Sequence, residues 1–531
     1  MLLATIADGR TFFVEKMNMK DTYDSVNVKK PFSTRHTGVS VLVSKVPASS
    51  VKMPLASEPW EGWTALDTIF NISADLQHPV SITGPKFVGI TLDLSFMRRE
   101  WKQFDITTST SIFRVGGTAA DFLIFNSTAT DSDADAGGNT NRSDDEVLDY
   151  SVKVKNFTIN GTDWTRLNEL VNLAKWDLIF DFNEFLRQGD SWYPDNAREL
   201  LKFSQEQGYR IPCFQLGNAK CLLFSCSSQH KCSSVGKGYA NIEVIAVRVS
   251  TLSNSCIVGP DVTKVTKNSA ANYLKEFLMS GGQNIVSAVT LHHYYFSDED
   301  RRASIHDFVN ASVLDSLKDE LYKGTLIAHT YAPSLPVWLS ETSSVTGNAL
   351  PGVTDGFVAG FMWLDKLGLC ALYGLQAVVR QTFYHGTYPL VADDYTPNPD
   401  YYLTLLFKQL VQGPVFKVTG ASENVRVYMQ CANRESYPAG SLVVYALNVQ
   451  KKAAVLNLTQ FAEKSLDVFL LTPGDEQGLK SKYVALNGKK LEMVDEELPP
   501  LLPQTHSGPV TMAPYSFAYI VIPDANVKSC Y

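Results

Sequence analysis

The chain has 531 residues, and its 47 Lys and Arg against 55 Asp and Glu give a formal net charge of −8. Hydrophobic residues make up 45% of the composition and charged residues 19%, which excludes a largely disordered chain and predicts more than one domain, because single cores stop growing beyond about 250–300 residues. The acidic balance excludes a protein that holds nucleic acid by bulk charge, since such binding needs basic residues.

Strand and helix patterns alternate along the chain from residue 87. Short runs rich in β-branched and aromatic residues predict strands, and apolar residues at helical spacing predict helices between them. The predicted strands are 87–94, 111–115, 177–182, 211–216, 256–259, 286–292, 337–339 and 377–383. The predicted helices are 164–174, 195–207, 269–279, 313–322 and 356–368, and Asp195 is the expected N-cap of the second.

Eight strands separated mostly by helices predict an α/β fold, a (β/α)8 TIM barrel over residues 85–400. After residue 400 the pattern changes to short alternating strands at 425–430, 441–448, 465–471 and 517–522. This change predicts an appended C-terminal antiparallel β-sandwich domain over residues 401–531. Residues 1–84 have a weaker pattern, and we expect them to contribute a strand to the sandwich, with 39–44 as the candidate.

Polar residues follow most of the predicted barrel strands. They include Asp93, Thr118, Asn183, Glu184, Asn218, His292, His293, Tyr294, Tyr295, Glu341, Arg380 and Gln381. Because barrel enzymes build their active sites at the carboxyl ends of the strands, these residues are candidates for a site. A carboxylate with His, Tyr, Asn and Arg around it is typical of sugar hydrolysis. A structural role, in capping helices and satisfying loops, is the alternative for any single member.

Nine sequence stretches, in order from about residue 85 to the C-terminus, resemble heparanases of glycoside hydrolase family 79. They are 113–118, 121–125, 215–218, 259–262, 292–295, 337–344, 360–368, 379–381 and 499–501. The resemblance implies a barrel plus a β-sandwich and a retaining endo-β-glucuronidase that cleaves heparan sulfate without a cofactor. It also implies that Cys431 and Cys530 form a disulfide.

The resemblance assigns catalytic roles to two positions. Glu341 matches the family nucleophile, whereas the acid/base glutamate that directly follows Asn218 in the family is here Ala219. Alanine cannot donate a proton, so we expect a rate loss of roughly 10²–10⁴-fold with a poor leaving group. Glu184 and Glu243 are the carboxylates considered as substitutes.

Other matched positions are expected at the substrate. In the cleft they are Asp93, Thr118, Asn218, His292, Tyr294, Gln381 and Tyr388. Lys153 and Lys155 align with a basic heparin-binding segment, and ordinary surface lysines are the alternative. They adjoin the loop 126–152, which corresponds to the linker that many heparanases excise.

The resemblance disappears between residues 219 and 255, where a stretch rich in Cys and Ser replaces the expected helix. A gene-model or splicing error and real divergence of a pseudoenzyme both explain such a segment. Three functions therefore stay open: an endo-β-glucuronidase, a non-catalytic heparan sulfate-binding protein, and an exo-acting β-glucuronidase. Four cysteines near this segment, Cys213, Cys221, Cys226 and Cys232, lack CxxC spacing, so we expect no metal site.

Seven N-x-Ser/Thr sequons occur, at Asn71, Asn126, Asn141, Asn156, Asn160, Asn310 and Asn457. The cluster between residues 126 and 160 favours an exposed loop in a glycoprotein that is secreted to the extracellular matrix or lysosomal, although no signal peptide is visible. No apolar run approaches the roughly 20 residues that span a bilayer. The expected partner is heparan sulfate on proteoglycans, with no nucleic acid, and a peripheral position at the cell surface is one option.

Overall fold

A computed structural model describes residues 68–94, 111–130, 156–188, 191–218, 255–297, 303–347, 350–494 and 497–531. Several predictions lie outside these residues: the strand 39–44, the loop after residue 130, Asn141, Lys153, Lys155, Ala219, Glu243 and the cysteines at 221, 226 and 232. In the part of the chain that is described, no helix is both long and apolar enough to cross a membrane.

The strands up to residue 218 are β1 (Thr68–Ala74), β2 (Ser81–Thr83), β3 (Val88–Asp93), β4 (Ile112–Gly116), β5 (Leu123–Phe125), β6 (Phe157–Ile159), β7 (Asp177–Phe182), β8 (Arg187–Gln188), β9 (Ser191–Trp192) and β10 (Cys213–Leu216). They are followed by β11 (Cys256–Thr263), β12 (Ala288–His293), β13 (Val337–Thr342) and β14 (Ala377–Arg380). The helices are α1 (Gly161–Ala174), α2 (Asp195–Gln207), α3 (Asn268–Met279), α4 (Ala311–Tyr331), α5 (Ala359–Leu372) and α6 (Pro399–Leu410).

The remaining strands follow α6. They are β15 (Val411–Phe416), β16 (Val418–Thr419), β17 (Val425–Ala432), β18 (Leu442–Asn448), β19 (Ala454–Leu458), β20 (Ser465–Pro473), β21 (Val484–Leu486), β22 (Lys489–Lys490), β23 (Gln504–Ser507), β24 (Val510–Met512) and β25 (Ser516–Ile522).

Eight parallel strands close into a barrel in the order β3-β4-β7-β10-β11-β12-β13-β14, which confirms the predicted TIM barrel. Three details differ from prediction. Helix α4 runs to Tyr331 because Leu321 and Ala328 continue its buried face. Pro194, not Asp195, is the N-cap of α2. Residues 399–410 form the last barrel helix, which begins with a proline at its first turn, so the sandwich strands begin at residue 411.

The barrel interior changes from apolar to polar between one inward-facing position of the strands and the next. Side chains of a strand point inward at every second residue. Ile112, Ile179 and Cys213 belong to an apolar cluster near the amino ends. Two residues further along the same strands lie Arg114, Asp181 and Gln215, each with 0% exposure. We call these three, with Asp261, Thr290 and Ser340, the polar layer.

The C-terminal strands form two packed sheets, as predicted. One sheet has the order β16-β1-β19-β24, and the other has the order β2-β15-β17-β18-β25-β20-β21-β22, with β23 also paired to β20. The N-terminal strands β1 and β2 join one sheet each. Met429, Val444 and Ile520 are buried between the sheets, where the predicted disulfide between Cys431 and Cys530 is also formed.

The larger sheet is covered on its other face by barrel helix α5. The Oδ1 of Asp365 accepts hydrogen bonds from Arg426 and from the Tyr428 hydroxyl, the latter at 2.5 Å. Gly368 lets the helix approach the Tyr428 ring closely, since a Cβ at this position would lie 2.5 Å from ring carbons. Covering on both faces explains why β17, β18 and β25 are buried along their whole length.

Two further features concern the cysteines and the sequons. Cys213 is disulfide-bonded to Cys256, its partner in register on the adjacent strand, a pairing that we did not predict.

Among the described sequons, Asn160 is only 6% exposed and its side chain caps α1, so this asparagine is not available to a glycan in the fold. The other described sequon asparagines are exposed or partly exposed: Asn71, Asn126, Asn156, Asn310 and Asn457.

We predict that Gly368→Ala destabilises the protein by about 1–3 kcal/mol, because the added methyl group overpacks the interface with Tyr428. A loss of stability would identify the packing effect, because Gly→Ala inside a helix otherwise stabilises a protein by about 1 kcal/mol. Urea denaturation of the variant and of Gly84→Ala measures the effect. Nothing lies within 4 Å of a Cβ at Gly84, so the control should match the parent. A more stable Gly368→Ala variant would contradict this packing.

Candidate active site

Glu341 lies near the carboxyl end of β13, at the mouth of the barrel, and is 6% exposed. Its Oε2 accepts a hydrogen bond of 2.6 Å from Nη1 of Arg114, and its Oε1 accepts one of 2.8 Å from the hydroxyl of Tyr294. Both partners are hydrogen-bond donors, and each carboxylate oxygen accepts from one of them. Both oxygens are therefore held in a fixed orientation.

Arg114 is the centre of the polar layer. Its Nε donates to Gln215 at 2.8 Å, and its Nη2 lies 2.9 Å from Oδ1 of Asn218, 3.0 Å from Asp261 and 3.3 Å from Asp181. Complete burial opposes the positive charge, but the carboxylates of Asp261, Glu341 and Asp181 outweigh that effect and raise the pKa of Arg114. The guanidinium is thus charged at every pH at which the fold exists.

Asp261 connects Arg114 to the neighbouring strands. Burial favours its neutral form, yet His292 and Arg114 together keep its pKa well below the usual range for a carboxyl group. Ser340 donates to its Oδ1 at 2.5 Å. His292 Nε2 lies 3.0 Å from Oδ2 without the alignment of a hydrogen bond, and Nδ1 of the same ring lies 3.7 Å from Glu341. The imidazole therefore stands between two carboxylates.

The opposite side of the mouth is built from β3, β4 and the end of β10. Gln381 Nε2 donates to Asp93 at 2.9 Å. Gly117 faces this carboxylate with φ of 92°, and any Cβ there would lie 2.5 Å from Asp93 Oδ2. The backbone of Asn218 donates to Asp121 at 3.2 Å, and its side chain lies 3.5 Å from the Thr118 hydroxyl. These contacts fix Asn218, the residue that precedes position 219 in the sequence.

The structure brings together most of the described residues that the sequence placed at the site. Asn218, His292, Tyr294 and Glu341 share the Arg114 network, Asp93 contacts Gln381, and the ring of Tyr388 lies 6.4 Å from that of Tyr294. Glu184 is buried at the end of β7, where its Oε2 lies 3.7 Å from Arg187. The substrate contacts themselves stay predictions.

Sequence reasoning missed the polar layer beneath the rim. Arg114, Asp181, Gln215 and Asp261 are not at strand ends but inside the strands, which is why a search of the ends overlooked them. The available signal was a charged residue in the middle of a buried strand. Such a residue is rarely tolerated unless it is paired.

Among the described residues, the Arg114 network has one carboxylate at the barrel mouth, and the others lie deeper inside the barrel. Asp181 and Asp261 are completely buried against Arg114, so neither is placed to protonate a leaving group. Glu341 is the carboxylate of this network that lies at the strand end. Retaining hydrolysis needs a nucleophile and a separate acid/base, and among the described residues the Arg114 network offers one carboxylate at a strand end for these two roles.

Tyr294→Phe should slow formation of the covalent intermediate with an activated aryl glycoside by about 10- to 100-fold, because Glu341 loses the hydrogen bond that orients Oε1. A stopped-flow burst measures this rate. Tyr295→Phe is the matched control, since the Tyr295 hydroxyl makes no hydrogen bond to any residue that is described. Equal rates in the two variants would show that the Tyr294 contact does not matter.

Comparison with known proteins supports a sugar hydrolase. The model of glycosyl hydrolase family 79, N-terminal domain, matches residues 90–368. Heparanase of Bos taurus is 31% identical over 509 residues, covering 86% of this chain and 91% of that protein. Hyaluronoglucuronidase of Hirudo nipponia is 30% identical, covering 86% and 99%. Inactive heparanase-2 of Homo sapiens is 29% identical, covering 72% and 67%.

A solved structure shares the fold. The 4-O-α-L-rhamnosyl-β-D-glucuronidase of Fusarium oxysporum superposes with a TM-score of 0.62 at 14% identity, covering 86% of this chain and all of that one. The family segment includes the strands that carry Arg114 and Glu341. Because the family model and full-length relatives agree, the chain belongs to glycoside hydrolase family 79 and is a heparanase-like protein.

Proposed function

We propose that this chain is a glycoside hydrolase that attacks the β-glucuronidic bonds of heparan sulfate with Glu341 as nucleophile. The observation that carries the proposal is the pair of hydrogen bonds that Glu341 accepts from Arg114 and Tyr294 at the barrel mouth. An oriented carboxylate at this place is the group that the first displacement of a retaining hydrolase requires. The relatives named heparanase support the choice of substrate.

Ala219 limits this chemistry to part of the reaction. In the first step Glu341 forms a bond to the anomeric carbon while the bond to the leaving oxygen breaks, and that oxygen needs a proton. In the second step a base must activate water. Alanine at position 219 supplies neither the proton nor the base. We infer that heparan sulfate, whose leaving group is a sugar alcohol, is cleaved slowly, whereas a substrate with an acidic leaving group reacts at Glu341.

A non-catalytic protein that binds heparan sulfate is the second candidate, and Ala219 is the observation that favours it. The orientation of Glu341 by Arg114 and Tyr294 favours the hydrolase, because attack on a sugar depends on the placement of the carboxylate. The two candidates share a location: we propose a secreted or lysosomal glycoprotein that meets proteoglycans in the matrix or at the cell surface. The exposed sequon asparagines Asn71 and Asn126 support this route.

We predict a strong dependence on the leaving group. A glucuronide of dinitrophenol should give a burst of phenolate followed by slow turnover, and azide should accelerate turnover because it attacks the intermediate without a base. Cleavage of heparan sulfate should be roughly 10²–10⁴-fold below that of the Ala219→Glu variant, which restores the acid. Release of phenolate and of reducing ends measures both, with hyaluronan as the unsulfated comparison substrate.

Glu341→Gln is the control for this experiment and should abolish the burst. If the parent chain gives no burst while heparin retains it on a column, the protein is the non-catalytic binder. If Ala219→Glu remains inactive on heparan sulfate while the burst is present, the segment 219–255, and not the single residue, accounts for the lost step.

A further inference from the structure

Lys366 is a buried lysine directly behind the nucleophile strand. It lies on α5 with 1% exposure, and its Nζ contacts neutral oxygens: the hydroxyl of Thr342 at 2.6 Å and the carbonyl groups of Ser343 at 2.7 Å and His293 at 3.4 Å. Thr342 and Ser343 directly follow Glu341, and His293 directly follows His292. The amino group of Lys366 therefore joins the carboxyl ends of β12 and β13, which carry the groups facing each other in the site.

A second buried cation acts on the same segment. Arg380, at the end of β14, donates from Nη1 to the hydroxyl of Ser343 at 2.7 Å and from Nη2 to Asp400 at 2.8 Å. Ser343 thus accepts one hydrogen bond from Lys366 at its carbonyl oxygen and one from Arg380 at its hydroxyl. The backbone after Glu341 is fixed from two sides, although neither cation contacts Glu341 itself.

Burying the amino group of Lys366 costs free energy that packing alone would not require. Burial is the main cause that lowers the pKa of Lys366 well below its usual range, which reflects the cost of an ammonium without water. The side chain also lies with Nζ 4.7 Å from the centre of the Tyr295 ring. Apolar residues fill such a position at less cost when only volume is needed. The hydrogen bonds of Lys366 converge on the ends of two strands, which points to a role in fixing the positions of these ends.

We propose that Lys366 is a positioning residue, which holds the ends of β12 and β13 so that Glu341 meets the anomeric carbon in line. This inference rests on the proposed function. Its contribution is made in the transition state, since attack depends on placement of the carboxylate to within a fraction of an ångström, whereas substrate binding uses other residues of the mouth.

The test is the variant Lys366→Met, which keeps the length of the side chain and removes the three hydrogen bonds. With the dinitrophenyl glucuronide, the burst rate constant at saturation should fall about 10- to 100-fold, and the concentration that gives half saturation should stay within about twofold. Lys408→Met is the matched control. Lys408 Nζ donates to the carbonyl of Val88 at 3.2 Å, at the opposite, amino end of the barrel, so its loss should leave the burst unchanged.

Thr342→Val keeps the test decisive if Lys366→Met does not fold. It removes the hydroxyl that accepts from Lys366 and that also donates to the carbonyl of His293, and it preserves the shape of the side chain. Because both bonds hold the same two strand ends, the variant should lower the same rate constant, by a smaller factor than Lys366→Met. An unchanged burst in folded Lys366→Met or in Thr342→Val overturns the inference. So does an equal fall in Lys408→Met, which would indicate a general loss of stability. Absence of a burst in the parent chain would instead refute the proposed function.

Discussion

The guanidinium of Arg114 holds three carboxylates inside the barrel: Asp181, Asp261 and Glu341. Three carboxyl groups share this one guanidinium, and the imidazole of His292 lies between two of them, Asp261 and Glu341. Removing one member of such a buried network leaves the others uncompensated, at a cost of about 3–5 kcal/mol. The site is therefore tied to the stability of the barrel.

The fold around this network supplies the conditions that it needs. The apolar cluster with Ile112, Ile179 and Cys213 seals the amino end of the barrel, so the charges above it interact in a dry interior. On the outside, α5 is fixed against the larger sheet of the sandwich through Asp365 and Gly368. The same helix carries Lys366. Helix α5 thus contacts both the second domain and the strand that bears Glu341.

The fold and part of the site follow from the sequence. Strand periodicity and the resemblance predicted the barrel, the sandwich and Glu341, because these depend on local pattern. Cys213 and Cys256 lie on consecutive strands of the predicted barrel, but their disulfide depends on the register that places these two residues opposite each other, which local pattern does not reveal. The polar layer was missed because its members lie inside the strands and not at their ends, and closure of the barrel brings Arg114 to 3.0 Å from Asp261. Helix α6 was missed because its apolar residues also suit a strand.

The central claim is that Glu341 is a competent nucleophile in a chain that lacks the acid/base at position 219. Incubation with a 2-fluoro-glucuronosyl fluoride tests it most directly, since fluoride leaves without a proton and the fluorine at C2 slows release of the sugar from the enzyme. Mass spectrometry of the digested protein should find one adduct per chain, on the peptide that contains Glu341. An unlabelled protein, or a label on any other carboxylate, would contradict the account.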